Sequence, residues 1–375
     1  MTQPETITMR FAKGSGRTGL GEGLGKRARS RQGWLVPVLI AGMLGSVVAG
    51  LMVGAVKISF TSVWGILAGE VGIPTEWSFT EREAVILLHL RMPRVLAGLF
   101  TGAALALGGV LMQALFRNPL ADPGLIGVSS GAAMAAAVFM VLGGALPWLG
   151  VLPTLWALPA VAFGGAVAMT VVVIRIAGRM GETRVEHLLL AGIAMNALAG
   201  AVIGLLMVVA DDAQLREVAF WSFGSLGRAG WPVTGVLAVT TLPVLVAAVF
   251  LHSWLNALLL GEREAAYLGV PVEGLKRGML VLTCIAVGSA VSFTGLIGFV
   301  GLVVPHLVRL IAGPNHRGLV PASALLGGTL LTLADLLART VVAPVELPIG
   351  LVTALLGAPF FLALLMRDKR GGGVE

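Results

Sequence analysis

Charged side chains are scarce in this chain of 375 residues, where Asp, Glu, Lys and Arg together make up 12%. They are missing altogether from eight long stretches and crowd between them. The eight stretches are 32–56, 95–116, 123–174, 188–210, 229–251, 278–308, 318–334 and 347–366. An α-helix needs about 20 consecutive apolar residues to cross a bilayer, so this distribution predicts a polytopic helical membrane protein.

Two of the stretches do not fit a single crossing. The third is far longer than one span and is broken by Pro147, Gly150 and Pro153. The sixth is interrupted around Thr294 and Gly295. We expect each of the two to form a helical hairpin, which gives an all-α fold with ten transmembrane helices and both termini on the same side.

The positions of Lys and Arg decide the orientation, because basic residues near membrane ends collect on the cytoplasmic side. With cytoplasmic termini, 19 basic residues lie inside: Arg10, Lys13, Arg17, Lys26, Arg27, Arg29, Arg31, Arg117, Arg175, Arg179, Arg184, Arg263, Lys276, Arg277, Arg309, Arg317, Arg367, Lys369 and Arg370. Seven lie outside: Lys57, Arg82, Arg91, Arg94, Arg216, Arg228 and Arg339. We therefore predict a disordered basic cytoplasmic arm over 1–31, a membrane domain over 32–367 and a cytoplasmic tail over 368–375.

The sequence lacks the residue patterns that several classes of chemistry require. The single cysteine, Cys284, falls inside a predicted span, so the sequence offers neither a disulfide framework nor a cysteine metal cluster. No P-loop motif occurs, and the five histidines show no H-E-x-x-H spacing. The G-x-G-x-x-G match at 14–19 follows no predicted strand. We assign no catalytic residue, no metal site and no permanently bound cofactor.

Ionisable residues within spans usually mark ion or proton routes, since they are costly in the bilayer. Only Asp335 qualifies, near an outer end. The energy for any transport is therefore expected from another subunit. An ion-coupled secondary transporter, which would place charges or broken helices at mid-membrane, and a purely structural anchor are the competing classes.

The basic excess has a membrane explanation. The pI is about 10.5, but the extra Lys and Arg lie mostly in the first 31 residues and the inner loops, which favours anionic lipid over nucleic acid as the partner. The 52 glycines suit closely packed membrane helices, and Gly98/Gly102, Gly127/Gly131 and Gly200/Gly204 have the spacing that lets helix backbones approach.

Three local features do not follow from membrane insertion alone. Arg91 and Arg94 flank Pro93 at the predicted start of the second span, where cations oppose the helix dipole, which indicates acidic groups from elsewhere or headgroup phosphates. Residues 117–124 form a tight inner turn in which Asp122 can cap the third span. The long inner connection at about 253–277 holds helix formers between Gly261 and Gly269, typical of short helices facing a cytoplasmic partner or lipid.

These features resemble a known family. The resembling segments are Arg91-Met92-Pro93-Arg94, the run 103–131 with Gln113-Ala114-Leu115-Phe116-Arg117-Asn118-Pro119-Leu120-Ala121, Val304-Pro305-His306-Leu307-Val308-Arg309, and Glu346-Leu347-Pro348-Ile349-Gly350 with Gly357-Ala358-Pro359. Together they are similar to the permease subunits of type II ABC importers for ferric siderophores, haem and cobalamin. The resemblance covers residues 34–367, and the segments 210–216 and 220–226 are most similar to haem permeases.

The resemblance implies a homodimer in the bacterial inner membrane with two cytoplasmic ATPase subunits that use ATP and a periplasmic binding protein. It implies haem as the cargo, with ferric siderophore and then cobalamin as alternatives. It assigns binding-protein docking to Arg91, Arg94 and Arg339, ATPase coupling to Gly261, Glu262, Ala265, Leu268 and Gly269, and the inner gate to Asn118 and Leu120. The cargo is expected to slide along an apolar wall, the alternative being a relay through His89 near the outer mouth and His187 or His306 near the inner one.

Overall fold

The computed structural model describes residues 18–54, 56–74, 76–143, 154–179 and 182–371. The helices are α1 (Thr18–Met52), α2 (Phe60–Glu70), α3 (Glu81–Val85), α4 (Met92–Leu115), α5 (Val128–Leu142), α6 (Thr154–Ala177), α7 (Val185–Val209), α8 (Asp212–Ser222), α9 (Trp231–Phe250), α10 (His252–Leu258), α11 (Glu262–Tyr267), α12 (Val272–Thr294), α13 (Val300–Ala312), α14 (His316–Ala338) and α15 (Ile349–Gly371). A π-helical turn, Ile86–Arg91, joins α3 to α4, and a 3-10 helix, Pro123–Ile126, precedes α5. Strands β1 (Gly178–Arg179) and β2 (Glu182–Thr183) form a small antiparallel hairpin between α6 and α7.

The predicted all-α architecture with ten membrane helices is confirmed. Within the described residues, seven helices are long and apolar enough to cross a membrane, and α5, α13 and the apolar part of α15 are shorter. The third charge-free stretch divides into α5 and α6, and its predicted break at Pro147, Gly150 and Pro153 lies outside the described residues. The sixth divides where Gly295, with φ 74°, ends α12 before α13 begins.

The second membrane helix starts earlier than predicted. It runs from Glu81 through the π-helical turn and α4, whereas the sequence places Pro93 in its first turn. A capping box begins it: Thr80 Oγ1 accepts from the backbone N–H of Glu83, and the Glu83 carboxylate accepts from the backbone N–H of Thr80. Counting only charge-free residues misses this N-terminal extension, because Glu83, Arg91 and Arg94 are charged but bind groups of the chain itself.

The two predicted terminal segments also differ from the structure. α1 begins at Thr18, within the expected arm, and α15 continues to Gly371, within the expected tail. Extending an established helix needs no new nucleus, and residues 26–29 are all good helix formers. The rest of the arm, residues 1–17, lies outside the described residues.

Glycine contacts hold the centre of the bundle together. α4 packs against α9, α12, α13 and α14. A Cβ on Gly102 of α4 would lie 2.1 Å from the carbonyl oxygen of Gly327 on α14, so the two backbones are in direct contact. Gly131 and Gly165 make the same kind of contact between α5 and α6.

Gly200 and Gly204 on α7 behave differently, because a Cβ on either would meet nothing within 4 Å. Their helix is also the least buried of the seven long spans, with 17% of its apolar window buried against 78% for the second. One glycine face of the bundle is therefore left without a partner in the described chain.

Candidate functional sites

The outer end of the bundle is the end that the charge pattern assigns to the outside, where Met52, Arg91, Arg339 and Glu346 lie. Arg91 is 5% exposed there. Its guanidinium donates to the carbonyl oxygens of Leu51 at 2.7 Å and Met52 at 2.9 Å, and also to that of Val56. These contacts satisfy carbonyls at the C-terminus of α1, where a cation is favoured by the helix dipole.

Arg94 is paired with two carboxylates of the same chain. Its Nη2 lies 2.9 Å from Asp335 Oδ1, and its Nη1 lies 2.9 Å from Glu346 Oε1. A second bond from Nη2 to Glu346 Oε2, also 2.9 Å, makes the Glu346 contact bidentate. The Arg94 hydrogen bonds hold the pKa of the Glu346 carboxyl below its usual range.

Arg339 completes this outer cluster. It is 9% exposed, its Nη2 donates to the carbonyl oxygen of Gly50, and its Nε lies 3.7 Å from Asp335 Oδ2. The inference that the acidic partners of Arg91 and Arg94 come from outside the chain is thus corrected, since Asp335 and Glu346 serve Arg94 and backbone carbonyls serve Arg91. Docking by these three arginines stays a prediction.

The predicted outer side also carries exposed cations that the sequence reading did not single out. They are Lys57, Arg82, Arg216 and Arg228. Their positive charge is open to an approaching molecule, whereas most of the charge on the outer cluster is already balanced within the chain. The sequence does not distinguish these four cations from the buried arginines, because the exposure of a side chain cannot be predicted from the positions of basic residues.

A cavity of about 700 Å³ opens at the outer end, beneath α8. Its walls combine the aromatic rings of Phe220, Trp221 and Phe293 with apolar side chains and with the charged residues Glu217, Arg228 and Glu346. Trp156 packs edge-on against Phe293, with ring centroids 5.8 Å apart. A space of this size, mostly apolar with a few charged groups, is typical of a site for a small organic molecule.

The inner turn, where the gate is predicted, is held by hydrogen bonds within the turn. Asn118 Oδ1 accepts from the backbone N–H of Leu120 at 2.9 Å, and the Asn118 carbonyl accepts from the N–H of Ala121. Leu120 is 37% exposed, so its side chain is available for contact. Asp122 accepts from the N–H of Gly124 at 2.7 Å and caps the 3-10 helix rather than α5 itself, because Gly127, with φ 80°, separates the two.

The long inner connection contains two short helices, α10 and α11, as predicted. Gly261 and Gly269 border α11 with φ values of 133° and 84°, which favour glycine. Ala265 is fully buried against the chain, whereas Leu268 is 65% exposed. Ala265 therefore contacts its own chain and Leu268 is open to a partner, and ATPase coupling by these residues stays a prediction.

The exposed apolar surface of this connection includes two residues that the sequence reading missed. Tyr267, the last residue of α11, is 90% exposed, and Leu260, two residues before α11, is 67% exposed. Tyr267 is the only tyrosine of the chain. Together with Leu268 they are the exposed apolar side chains called the apolar patch below, and exposure of this kind is typical of a protein contact.

The histidines lie on separate elements. His89 is exposed in the π-helical turn, His187 is exposed in the first turn of α7, and His306 lies in α13. His316 is fully buried and its Nδ1 pairs with Asn256 Oδ1 at 2.9 Å, which ties α14 to α10. Among the described residues no group of three or more His, Cys, Asp or Glu could hold a metal ion.

The structure has ten membrane helices packed through glycine contacts. It has a cavity at the outer end and two short helices at the inner end, between the sixth and seventh spans. These features define a polytopic membrane permease. The chain belongs to the FecCD transport family, which its sequence matches over residues 41–367. It is the permease of a type II ABC importer.

Relatives and a solved structure agree with this assignment. The chain is 44% identical over 337 residues to the hemin transport system permease protein HmuU of Yersinia pestis, covering 90% of this chain and 95% of HmuU. It is 41% identical to the cobalamin import system permease protein BtuC of Halobacterium salinarum, covering 82% and 80%. It is 40% identical to the vitamin B12 import system permease protein BtuC of Escherichia coli, covering 81% and 91%.

The structural similarity is to an inward-facing conformation of a protein assigned as a metal-chelate type ABC transporter. The TM-score is 0.77 at 30% identity, and the match covers 88% of this chain and 98% of the other. The predicted family is confirmed by these comparisons.

Proposed function

We propose that this chain is a haem permease, the membrane subunit of an importer that moves haem from a periplasmic binding protein into the cytoplasm. The observation that carries the proposal is the 44% identity to a hemin permease over 90% of the chain. The similarity to vitamin B12 permeases is lower and shorter, at 40 to 41% over about four fifths of the chain.

The outer cavity supports a flat aromatic cargo with negative charges. Phe220, Trp221 and Phe293 supply rings that can stack on a porphyrin, and Arg228 supplies a cation for a propionate. Glu217 and Glu346 also line the cavity. They disfavour the close approach of a second carboxylate, so the arrangement favours one orientation of the cargo.

Cobalamin is the second candidate, favoured by the identity to two vitamin B12 permeases. A ferric siderophore is the third and rests on the family alone. All three cargoes are metal chelates, and passage through this chain requires weak contacts rather than metal ligation, because tight binding would trap the cargo. An ion-coupled secondary transporter is the remaining alternative.

The expected partners follow from the family. Two ATPase subunits bind at the inner end and use ATP, a binding protein docks at the outer end, and a second copy completes the pathway, all in the bacterial inner membrane. The open glycine face of α7 supports the second copy, since small residues at this spacing let membrane helices pair. In this arrangement Asn118 and Leu120 of each copy close the inner mouth.

ATPase coupling is assigned to the segment 253–277, called the coupling segment below. Leu268, together with Tyr267 and Leu260, presents an apolar surface to the ATPase. Gly261 and Gly269 shape α11, Glu262 begins it, and Ala265 packs it against the membrane domain. The patch supports this role because its three side chains are more exposed than Trp254 and Leu259, the other exposed large apolar residues of the coupling segment.

Docking at the outer end combines two sets of cations. Arg91, Arg94 and Arg339 build the surface and contribute positive charge, and the exposed Lys57, Arg82, Arg216 and Arg228 contact acidic side chains of the binding protein. Exposed ion pairs are individually worth about 0–1 kcal/mol. The combined attraction of these ion pairs should fall steeply as salt screens the charges. A titration of binding-protein affinity against salt concentration measures this fall.

The test of cargo is reconstitution of the permease with its ATPase and binding protein in proteoliposomes. We expect haem-loaded binding protein to stimulate ATP hydrolysis and haem to accumulate inside. Cyanocobalamin and a ferric siderophore are run in parallel. Accumulation of either without haem uptake would contradict the haem proposal and keep the family, whereas transport without the ATPase would contradict both.

A further inference from the structure

Lys276 is an unusual lysine, because it is only 2% exposed at the inner end of α12. Its Nζ lies 2.6 Å from Glu273 Oε1, 2.9 Å from Glu262 Oε2 and 2.6 Å from the carbonyl oxygen of Thr183. An ammonium group has three protons, so all three are placed.

The three partners of Lys276 belong to three different elements. Glu262 is the first residue of α11, Glu273 lies in the first turn of α12, and Thr183 ends the β-hairpin that connects α6 to α7. The backbone N–H of Thr183 also donates to Glu273 Oε2 at 2.9 Å. Glu273 and Lys276 thus hold both backbone groups of Thr183, and Lys276 extends the network to α11.

An ordinary stabilising pair would not need this arrangement. Glu273 and Lys276 are three residues apart on one helix and can pair there without any other element. Burying the ammonium instead desolvates it, which is favourable only when several short, charge-assisted bonds replace the water. The geometry joins the start of the coupling segment's second helix to the hairpin next to α7.

We propose that Lys276 is a positioning residue that transmits displacement of α11 to the β1–β2 hairpin and through it to α7. The inference rests on the proposed contact between the coupling segment and the ATPase. Thr183 is followed within two residues by the first residue of α7, so a shift of the hairpin moves the inner end of that helix. Because α7 is the least buried long span, it can move with little loss of packing within the chain.

The test compares ATP hydrolysis with transport in the reconstituted complex. Glu262→Ala cuts the bond to α11 and leaves Lys276 with Glu273 and Thr183, and Lys276→Met removes the network. For both we expect assembly with the ATPase and continued ATP hydrolysis, but about tenfold more ATP hydrolysed per haem transported, a typical size for coupling between sites. Lys276→Arg should restore part of the coupling because it keeps the charge and several donors.

The matched control is Glu186→Gln, which changes an exposed carboxylate in the first turn of α7, on the same predicted side. We expect a wild-type ratio of ATP to haem for this variant. An unchanged ratio in both Glu262→Ala and Lys276→Met would overturn the proposal. A proportional loss of hydrolysis and transport with a lower melting temperature would also overturn it, because it would mean a role in folding alone.

A further variant separates this inference from the proposed function. Leu268→Glu places a charge on the exposed patch of the coupling segment. If the ATPase still co-purifies and transport is normal, the coupling segment itself is wrongly assigned. If Leu268→Glu disrupts the complex while Lys276→Met keeps its ratio of ATP to haem, only the transmission through Lys276 fails.

Discussion

At the scale of single residues, two arginines of the outer end, Arg94 and Arg339, show how charged side chains are stabilised next to a membrane by carboxylates of the same chain. Asp335 lies 2% exposed between Arg94 and Arg339, and Arg94 also reaches Glu346. One buried carboxylate and one more exposed carboxylate therefore join the second and ninth membrane helices to the loop before the tenth.

Replacing Arg94 with Ala should destabilise the permease. Asp335 would keep only the more distant Arg339 as a partner, and removing one member of a buried ion pair costs about 3–5 kcal/mol. We expect a clearly lower melting temperature of the detergent-solubilised protein. Arg82→Ala, which removes an exposed arginine, serves as the control and should leave the melting temperature unchanged.

A second substitution tests the cause. In the Arg94→Ala background, Asp335→Asn neutralises the buried carboxylate that has lost its closer partner, so part of the lost stability should return. Equal melting temperatures for Arg94→Ala and Arg82→Ala would show that the outer cluster contributes little to the fold.

The residue scale is also where sequence reasoning reached its limit. The missing charges located Arg91 and Arg94 correctly as exceptions, but Asp335 is 241 residues away from Arg94 in the sequence. A partner at that distance becomes visible only when the second and ninth helices pack together. The inward side of Ala265 was hidden for the same reason, because it depends on which face of α11 meets the bundle.

At the scale of elements, the helices followed closely from the distribution of charge. Gaps in Asp, Glu, Lys and Arg predicted both hairpins, since membrane insertion imposes a strong constraint on composition. The short inner helices were predicted from helix formers between Gly261 and Gly269. The helix ends were predicted less well. Two helices begin before their apolar residues do. The second membrane helix begins at Glu81 because a capping box stabilises that end, and α1 begins at Thr18 because helical hydrogen bonding continues beyond the apolar residues.

The glycine face of α7 gives a prediction at this scale. Gly200→Leu combined with Gly204→Leu adds side chains on a face of α7 that meets no other part of the described chain, so the protomer should fold normally. The added side chains would keep the α7 helices of two copies from approaching closely. We expect the dimer to dissociate, measured by cross-linking in membranes and by light scattering in detergent.

Gly235→Leu is the matched control for the α7 variant. Gly235 lies in membrane helix α9, and its Cβ would also meet nothing within 4 Å. Its replacement should leave the oligomeric state unchanged. A dimer that survives the double substitution on α7 would place lipid, not a second copy, against that face.

At the scale of the whole molecule, the orientation in the membrane is open to a direct measurement. The 19 to 7 division of basic residues predicts that Glu76 faces outside and Tyr267 faces the cytoplasm. Both positions are exposed, and the native Cys284 is buried. A membrane-impermeant maleimide should label Glu76→Cys in intact cells and Tyr267→Cys only after lysis. The reverse pattern would invert the topology and exchange the sites for the ATPase and the binding protein.

The backbone contact between Gly102 and Gly327 has a consequence for motion. With no side chain between them, α4 and α14 interlock, and sliding one along the other would drive neighbouring side chains into the opposite backbone. We therefore expect the two helices to move as a single body. In an importer that alternates between outward-open and inward-open forms, we expect the other helices to rotate about this pair.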